Sequence, residues 1–186
     1  MKIVKKKIAL RKKGSVQSAI IIGSQTIGRN HPDYPGLEVL NMILGGYFGS
    51  RLMQSVREGK GYTYDIFSGL STMKEGAYKA IFTEVNCHQR KETLSAIYDE
   101  ISRLQQEPVP IEELSRVRKY MFGDLIRSFD GPFAKAESYR NVFDSGLDNT
   151  YYEKLTHVIK TTEPDEIMRI AQTYYKIEDL HEITAG

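Results

Sequence analysis

The stretch "SRLMQSVREGKGYTYDI", residues 50–66, holds the residues whose types and spacing could do chemistry: Arg57, Tyr62 and Tyr64. Arg57 closes a short charged helix, and Tyr64 follows seven residues later on a strand. A guanidinium offers several hydrogen-bond donors and a phenol one. Together they could hold substrate carbonyls, or the oxyanion that develops when water attacks an amide. The same residues also suit plain architecture. An arginine is favoured beside the free carbonyls at a helix end, and a buried tyrosine needs a partner for its hydroxyl.

Other catalytic constellations are missing from the sequence. The four histidines, His31, His88, His157 and His181, include no pair at metal-binding spacing, and neither H-x-x-E-H nor H-E-x-x-H occurs. Cys87 and His88 are adjacent, but two neighbouring ligands without others make a poor zinc site. No metal site and no cofactor are expected in this chain. No G-x-S-x-G elbow or phosphate-binding G-x-x-x-x-G-K-[ST] is present. Gly45, Gly46 and Gly49 follow a helix rather than a strand, which argues against a nucleotide loop. Glu112 and Glu113 read as residues of a helix's first turn.

The elements that must position Arg57 and the tyrosines are legible from hydrophobic period. "VQSAIII" reads as a buried strand with Val16, Ser18, Ile20 and Ile22 on one face. A loop through "GSQTIGRNHPDYPG" follows, and Asp33 suits the cap of a helix carrying Leu37, Leu40 and Leu44, closed by Gly45-Gly46. A second short helix starts near Ser50, with Leu52, Met53 and Val56 inward. Residues 62–70 then alternate, with Tyr62, Tyr64 and Ile66 on one face and Thr63, Asp65 and Phe67 on the other. A turn through "MKEG" leads to an antiparallel partner, "AYKAIFTEVNC". Helical stripes follow at Leu94, Ile97, Ile101, Leu104 and at Leu114, Val117, Met121, Leu125. A further helix spans about 133–143, closed by Gly146. A late one spans "TTEPDEIMRIAQTYY", with Thr162 as its cap, and "LHEITAG" reads as a last strand. This order predicts one α+β domain over 1–186: an antiparallel sheet with helices packed on one face. Residues 1–14 are expected to form a linker or an edge strand.

With 186 residues, 40% hydrophobic and 27% charged, the chain suits an ordinary globular domain. A net charge of +2 gives no global field for nucleic acid or anionic membrane. The early run "KIVKKKIALRKK" is interrupted by Ile3, Val4, Ile8, Ala9 and Leu10, so a charged edge fits better than a nucleic-acid arm. One cysteine excludes an internal disulfide. No apolar run approaches the length of a membrane span and no signal-peptide pattern is present. The expectation is a soluble protein, cytoplasmic or periplasmic.

The segment "PDYPGLEVLNMILGGYFGSRLMQSVREGKGYTY" resembles the C-terminal-half signature of the pitrilysin-like zinc peptidases, the inverzincins, which include insulin-degrading enzyme and the mitochondrial processing peptidase. Leu40-Asn41, Ile43-Leu44-Gly45-Gly46, Phe48, Ser50-Arg51-Leu52, Val56-Arg57-Glu58, Gly61 and Tyr64 carry the match. Gly49 and Tyr62 depart from the commonest residues of the pattern, and neither alters the Arg–Tyr spacing. The resemblance implies a domain without zinc, paired with a homologous half that carries H-x-x-E-H. Arg57 and Tyr64 would then contact the substrate backbone and stabilise the tetrahedral intermediate of peptide hydrolysis, in trans to zinc. Tyr62 could line the chamber beside them, and Arg51 reads as structural. Under the resemblance the isolated chain is expected to be inactive. An alternative is a non-catalytic assembly or scaffold subunit of the same fold.

Overall fold

The computed structural model describes residues 6–73 and 76–186. Lys2, Ile3, Val4 and Lys5 of the basic run lie outside the described residues, as do Lys74 and Glu75 of the "MKEG" turn. The strands are β1 (Lys7–Leu10), β2 (Gln17–Thr26), β3 (Thr63–Met73), β4 (Gly76–Asn86) and β5 (His181–Ala185). They form one sheet in the order β1-β5-β2-β4-β3. All neighbours are antiparallel except β1 and β5. The helices are α1 (Tyr34–Asn41), α2 (Arg90–Gln106), α3 (Ile111–Arg127), α4 (Gly131–Phe143), α5 (Thr150–Thr161) and α6 (Pro164–Tyr174).

Alternation along the strands decides which face is covered. Ser18, Ile20, Ile22 and Ser24 of β2 are buried while Ile21 between them is exposed, and Ala77, Ile81, Thr83 and Val85 of β4 are buried beside exposed Phe82. The helices bring the expected stripes to that buried face: Leu37, Leu40, Ile97, Ile101, Leu104, Leu114, Val117, Ile167 and Ile170 are all in the core. Each such side chain contributes roughly 1.5–3 kcal/mol of burial. The result is the α+β layer expected from the sequence, with parallel pairing of β1 and β5 as the one departure among the described strands.

Several local expectations are corrected. β2 runs on to Thr26, into a stretch read as loop, and starts after Val16, which is exposed. Asp33 stands at the start of α1 without capping it. Its carboxylate accepts instead from Arg169 (2.9 Å) and from the Tyr174 hydroxyl (2.7 Å), tying α1 to α6. Thr162 does not begin α6; it closes α5, its hydroxyl donating to the Val158 carbonyl at 2.7 Å. Lys7, part of the basic run, is 2.9 Å from Glu182 and stacks on Tyr98, so it is committed within the fold.

Lys79 is the one charged side chain of β4 on the helix-covered face, and it is 2% exposed. Its ammonium donates to the Ser24 hydroxyl and lies 4.9 Å from the centroid of the buried Tyr175 ring. Burial pushes its pKa down to about 8, with the Asp179 charge opposing. The folded chain therefore releases this proton near pH 8, and the unfolded chain near 10.5. Between those values the unfolded state binds more protons, so this residue makes stability rise with pH. Lys79→Met should be more stable than the native chain at pH 7 by about 3 kcal/mol. Urea unfolding at pH 7 and pH 10 should show that gain shrinking toward zero at the higher pH.

Candidate functional site

The site is built on the contact between α1, the turns that follow it, and β3. After Asn41 the helix widens into a π-helical turn, Met42–Gly46, rather than ending at the glycines. Gly45 lies against β3 so closely that a Cβ there would stand 2.6 Å from the Ser68 Cβ and 2.9 Å from the Ser68 nitrogen. Only glycine fits that approach. Asn41 locks the same contact from both sides. Its Nδ2 donates to the Ser68 carbonyl (3.1 Å) and its Oδ1 accepts from the Ser68 hydroxyl (2.7 Å).

The second short helix also ends as a π-helical turn, Met53–Glu58, with Leu52, Met53 and Val56 buried beneath it and Arg57 in its last turn. Arg51, at its start, is buried and makes two 2.9 Å hydrogen bonds to Glu113 of α3. That is the structural role expected of it. The chain then reverses. The Gly61 N–H donates to the Arg57 carbonyl (3.0 Å) and the Tyr62 N–H to the Val56 carbonyl (3.1 Å), with Gly61 at φ +63°. This left-handed conformation favours glycine.

β3 starts with a bulge, and the bulge corrects the alternation read from the sequence. Thr63 pairs with Val85 but Ile66 pairs with Thr83, so Tyr64 and Asp65 together face one partner residue. Tyr64 and Ile66 therefore do not share a face: Ile66 is 1% exposed in the core and Tyr64 is 88% exposed. Side-chain hydroxyls replace the disrupted ladder. Thr83 Oγ1 donates to the Asp65 carbonyl (2.8 Å), and Thr63 Oγ1 lies 2.7 Å from the Glu84 carbonyl and accepts from the Asp65 N–H (3.2 Å).

The bulge turns Tyr64 out toward Arg57. The Arg57 guanidinium carbon lies 5.6 Å from the Tyr64 ring centroid and 4.7 Å from that of Phe48. The cation is thus held between two exposed aromatic rings, an attraction of about 0.5–1 kcal/mol at exposed sites. Tyr62 is half-buried against the core, with Lys60 5.9 Å from its ring centroid. Tyr62 and Tyr64 both line a groove of about 710 Å³ that also takes in Phe67, Phe82, Ile21 and Glu84. Phe48 was visible in the sequence pattern without a role; its place under Arg57 depends on the two π-helical turns, which have no clear sequence signal.

The groove opens onto the sheet face away from the helices. There Ile8, Ile183, Ile21, Phe82 and Phe67 pair side by side, one from each strand, and every one of them is 38% to 48% exposed. These five side chains form a continuous exposed apolar row, the kind of surface that binding grooves and interfaces use. Among the described residues no group of three His, Cys, Asp or Glu could hold a metal ion. Cys87 Sγ bonds to the Ser15 carbonyl (3.3 Å), and the His31 ring accepts from the Asp33 N–H (3.1 Å), so neither joins a ligand set. No described helix is long and apolar enough to cross a membrane.

Comparison with known proteins places this architecture. The profile described as "Peptidase M16 inactive domain" matches residues 2–121, and the chain belongs to that family. The uncharacterized zinc protease YmxG of Bacillus subtilis is 29% identical over 125 residues, covering 67% of this chain and 31% of the relative. The protein named "Non-peptidase homolog YmxG" of Helicobacter pylori is 20% identical over 143 residues, 77% of this chain and 33% of that one. The crystal structure of a peptidase M16 inactive domain from Pseudomonas fluorescens superposes with a TM-score of 0.86 at 23% identity, covering 98% of this chain and 44% of that one. The chain thus spans about a third of the length of the curated relatives named here.

The two arginines of the site should separate in their effects on stability. Glu113→Ala leaves Arg51 buried without its partner and should cost about 3 kcal/mol in denaturant unfolding. Arg57→Met, at a half-exposed position, should change stability by less than about 1 kcal/mol.

Proposed function

We propose that this chain is the substrate-binding half of a zinc-dependent metalloendopeptidase acting on peptides or unfolded chains. The observation that carries the reading is the meeting of Arg57 with Tyr64, a tyrosine that lines the groove and is turned into solvent by a bulge. A packed scaffold gains nothing from exposing that tyrosine. In this reading the metal is held by a homologous partner half carrying H-x-x-E-H, where it would activate water.

In this reading Arg57 holds a substrate carbonyl through its planar donors, and its place between Phe48 and Tyr64 keeps the guanidinium aimed. Tyr64 donates its hydroxyl to the oxygen that becomes negative as the amide is attacked. Tyr62 forms the wall beside them. The apolar row across the sheet gives an extended chain a floor without demanding particular side chains.

A second reading is a non-catalytic assembly or scaffold subunit of the same fold. It is favoured by the name of the Helicobacter pylori relative. Reconstitution separates the two. The chain alone should bind no zinc and cleave nothing. Mixed with the H-x-x-E-H half that accompanies it, it should yield cleavage of a quenched fluorogenic peptide that neither half shows alone. A tight, zinc-loaded assembly that leaves the peptide intact would establish the scaffold reading.

A further inference from the structure

Among the described residues of β2 and β4, the open face of the sheet carries a single charged side chain, Glu84. It stands opposite the bulge, so Tyr64 and Asp65 are its neighbours on β3. On its other side Ala19 and then Ala185 continue the row, beside the apolar row that holds Ile21 and Ile183. Alanine thus stands at two places where the adjoining row has isoleucine, so the floor is lower next to the carboxylate. The Glu84 carboxylate has no ion-pair or hydrogen-bond partner among the described residues. Asp65 is the other charged residue that lines the groove, and no lysine or arginine lines it. Arg57 and Lys60, the cations beside it, lie against the rings of Tyr64 and Tyr62.

The solvated face of an antiparallel sheet is ordinarily polar. This face is apolar along one row and carries one unpaired carboxylate across from Tyr64. We propose that the groove selects peptides by one basic side chain, lysine or arginine, with its cation on Glu84. Such a side chain matches both parts of the surface. Its aliphatic stem lies over Ala19 and the Phe82 ring while its charged head stays partly in water. Asp65 adds to the attraction from the bulge. A neutral side chain in the same place would strip water from an unpaired carboxylate and return no partner, and an acidic one would be repelled. The apolar row accepts any extended chain; the choice between chains is made at Glu84.

Selection by Glu84 rests on the reading of the groove as the peptide site, and binding measurements keep the two apart. Three short fluorescent peptides, identical except for one central residue, serve as probes: lysine, norleucine (a similar stem without the charge) and glutamate. Fluorescence anisotropy with the native chain should show the lysine peptide bound about fivefold more tightly than the norleucine peptide, as one charge pair in a partly solvated groove allows. The glutamate peptide should bind more weakly than either. Glu84→Gln should bring the lysine and norleucine peptides within about twofold of each other. Glu84→Lys should place the glutamate peptide first. Equal binding of the lysine and norleucine peptides by the native chain would overturn the proposal and leave the peptide groove standing. A lysine preference that survives in Glu84→Gln would do the same. Failure of all three peptides to bind would overturn the groove reading itself, and selection by Glu84 with it.

Discussion

The packing of Gly45 against Ser68 is the constraint on which the site depends. A Cβ at position 45 would fall 2.6 Å from the Ser68 side chain, so α1 can approach β3 only through a residue with none. Asn41, one helical turn earlier, uses both ends of its amide on the same serine. These contacts fix the distance between helix layer and sheet where the second short helix must fit. Leu52 fills the space beside the glycine, Val56 is buried one turn on, and Arg57 follows it at the end of the turn.

The second constraint is the bulge at Tyr64 and Asp65. A regular strand would force a choice between burying Tyr64 with Ile66 and turning both outward. Two residues opposite one partner remove that choice, and the hydroxyls of Thr63 and Thr83 bond the backbone groups that the bulge leaves short. The exposed tyrosine and the buried isoleucine two residues later are then both satisfied. The site is thus held by rigid elements, with its two polar groups presented from a helix end and a strand start, facing away from the core that anchors them.

Much of this was legible in the sequence because it follows from period. Leu37 and Leu40, Ile97 and Ile101, and the alternation through β2 and β4 are spaced as helix and strand geometry demand, and the α+β layer follows from their order. What was not legible are the places where the backbone departs from its ideal repeat. Period-two counting put Tyr62, Tyr64 and Ile66 on one face because no residue in "YTYDI" announces a bulge. The two π-helical turns shift Phe48 under Arg57 without any residue type that signals them. Asp33 reads as a cap from its neighbours, but its partners Arg169 and Tyr174 lie far along the chain. The role of Arg57 with Tyr64 came from the family resemblance and its seven-residue spacing, since local physics left it open.

The central claim is that Arg57 and Tyr64 work as one unit on the reacting carbonyl. The most direct test is a double-mutant cycle, Arg57→Met and Tyr64→Phe singly and together, in the assembled enzyme with matched assembly and zinc content. Each single change should lower kcat by roughly tenfold to a thousandfold, and the double change by clearly less than the product of the two. Unchanged kcat in either single variant, or effects that simply multiply, would contradict it and leave the pair as independent surface residues.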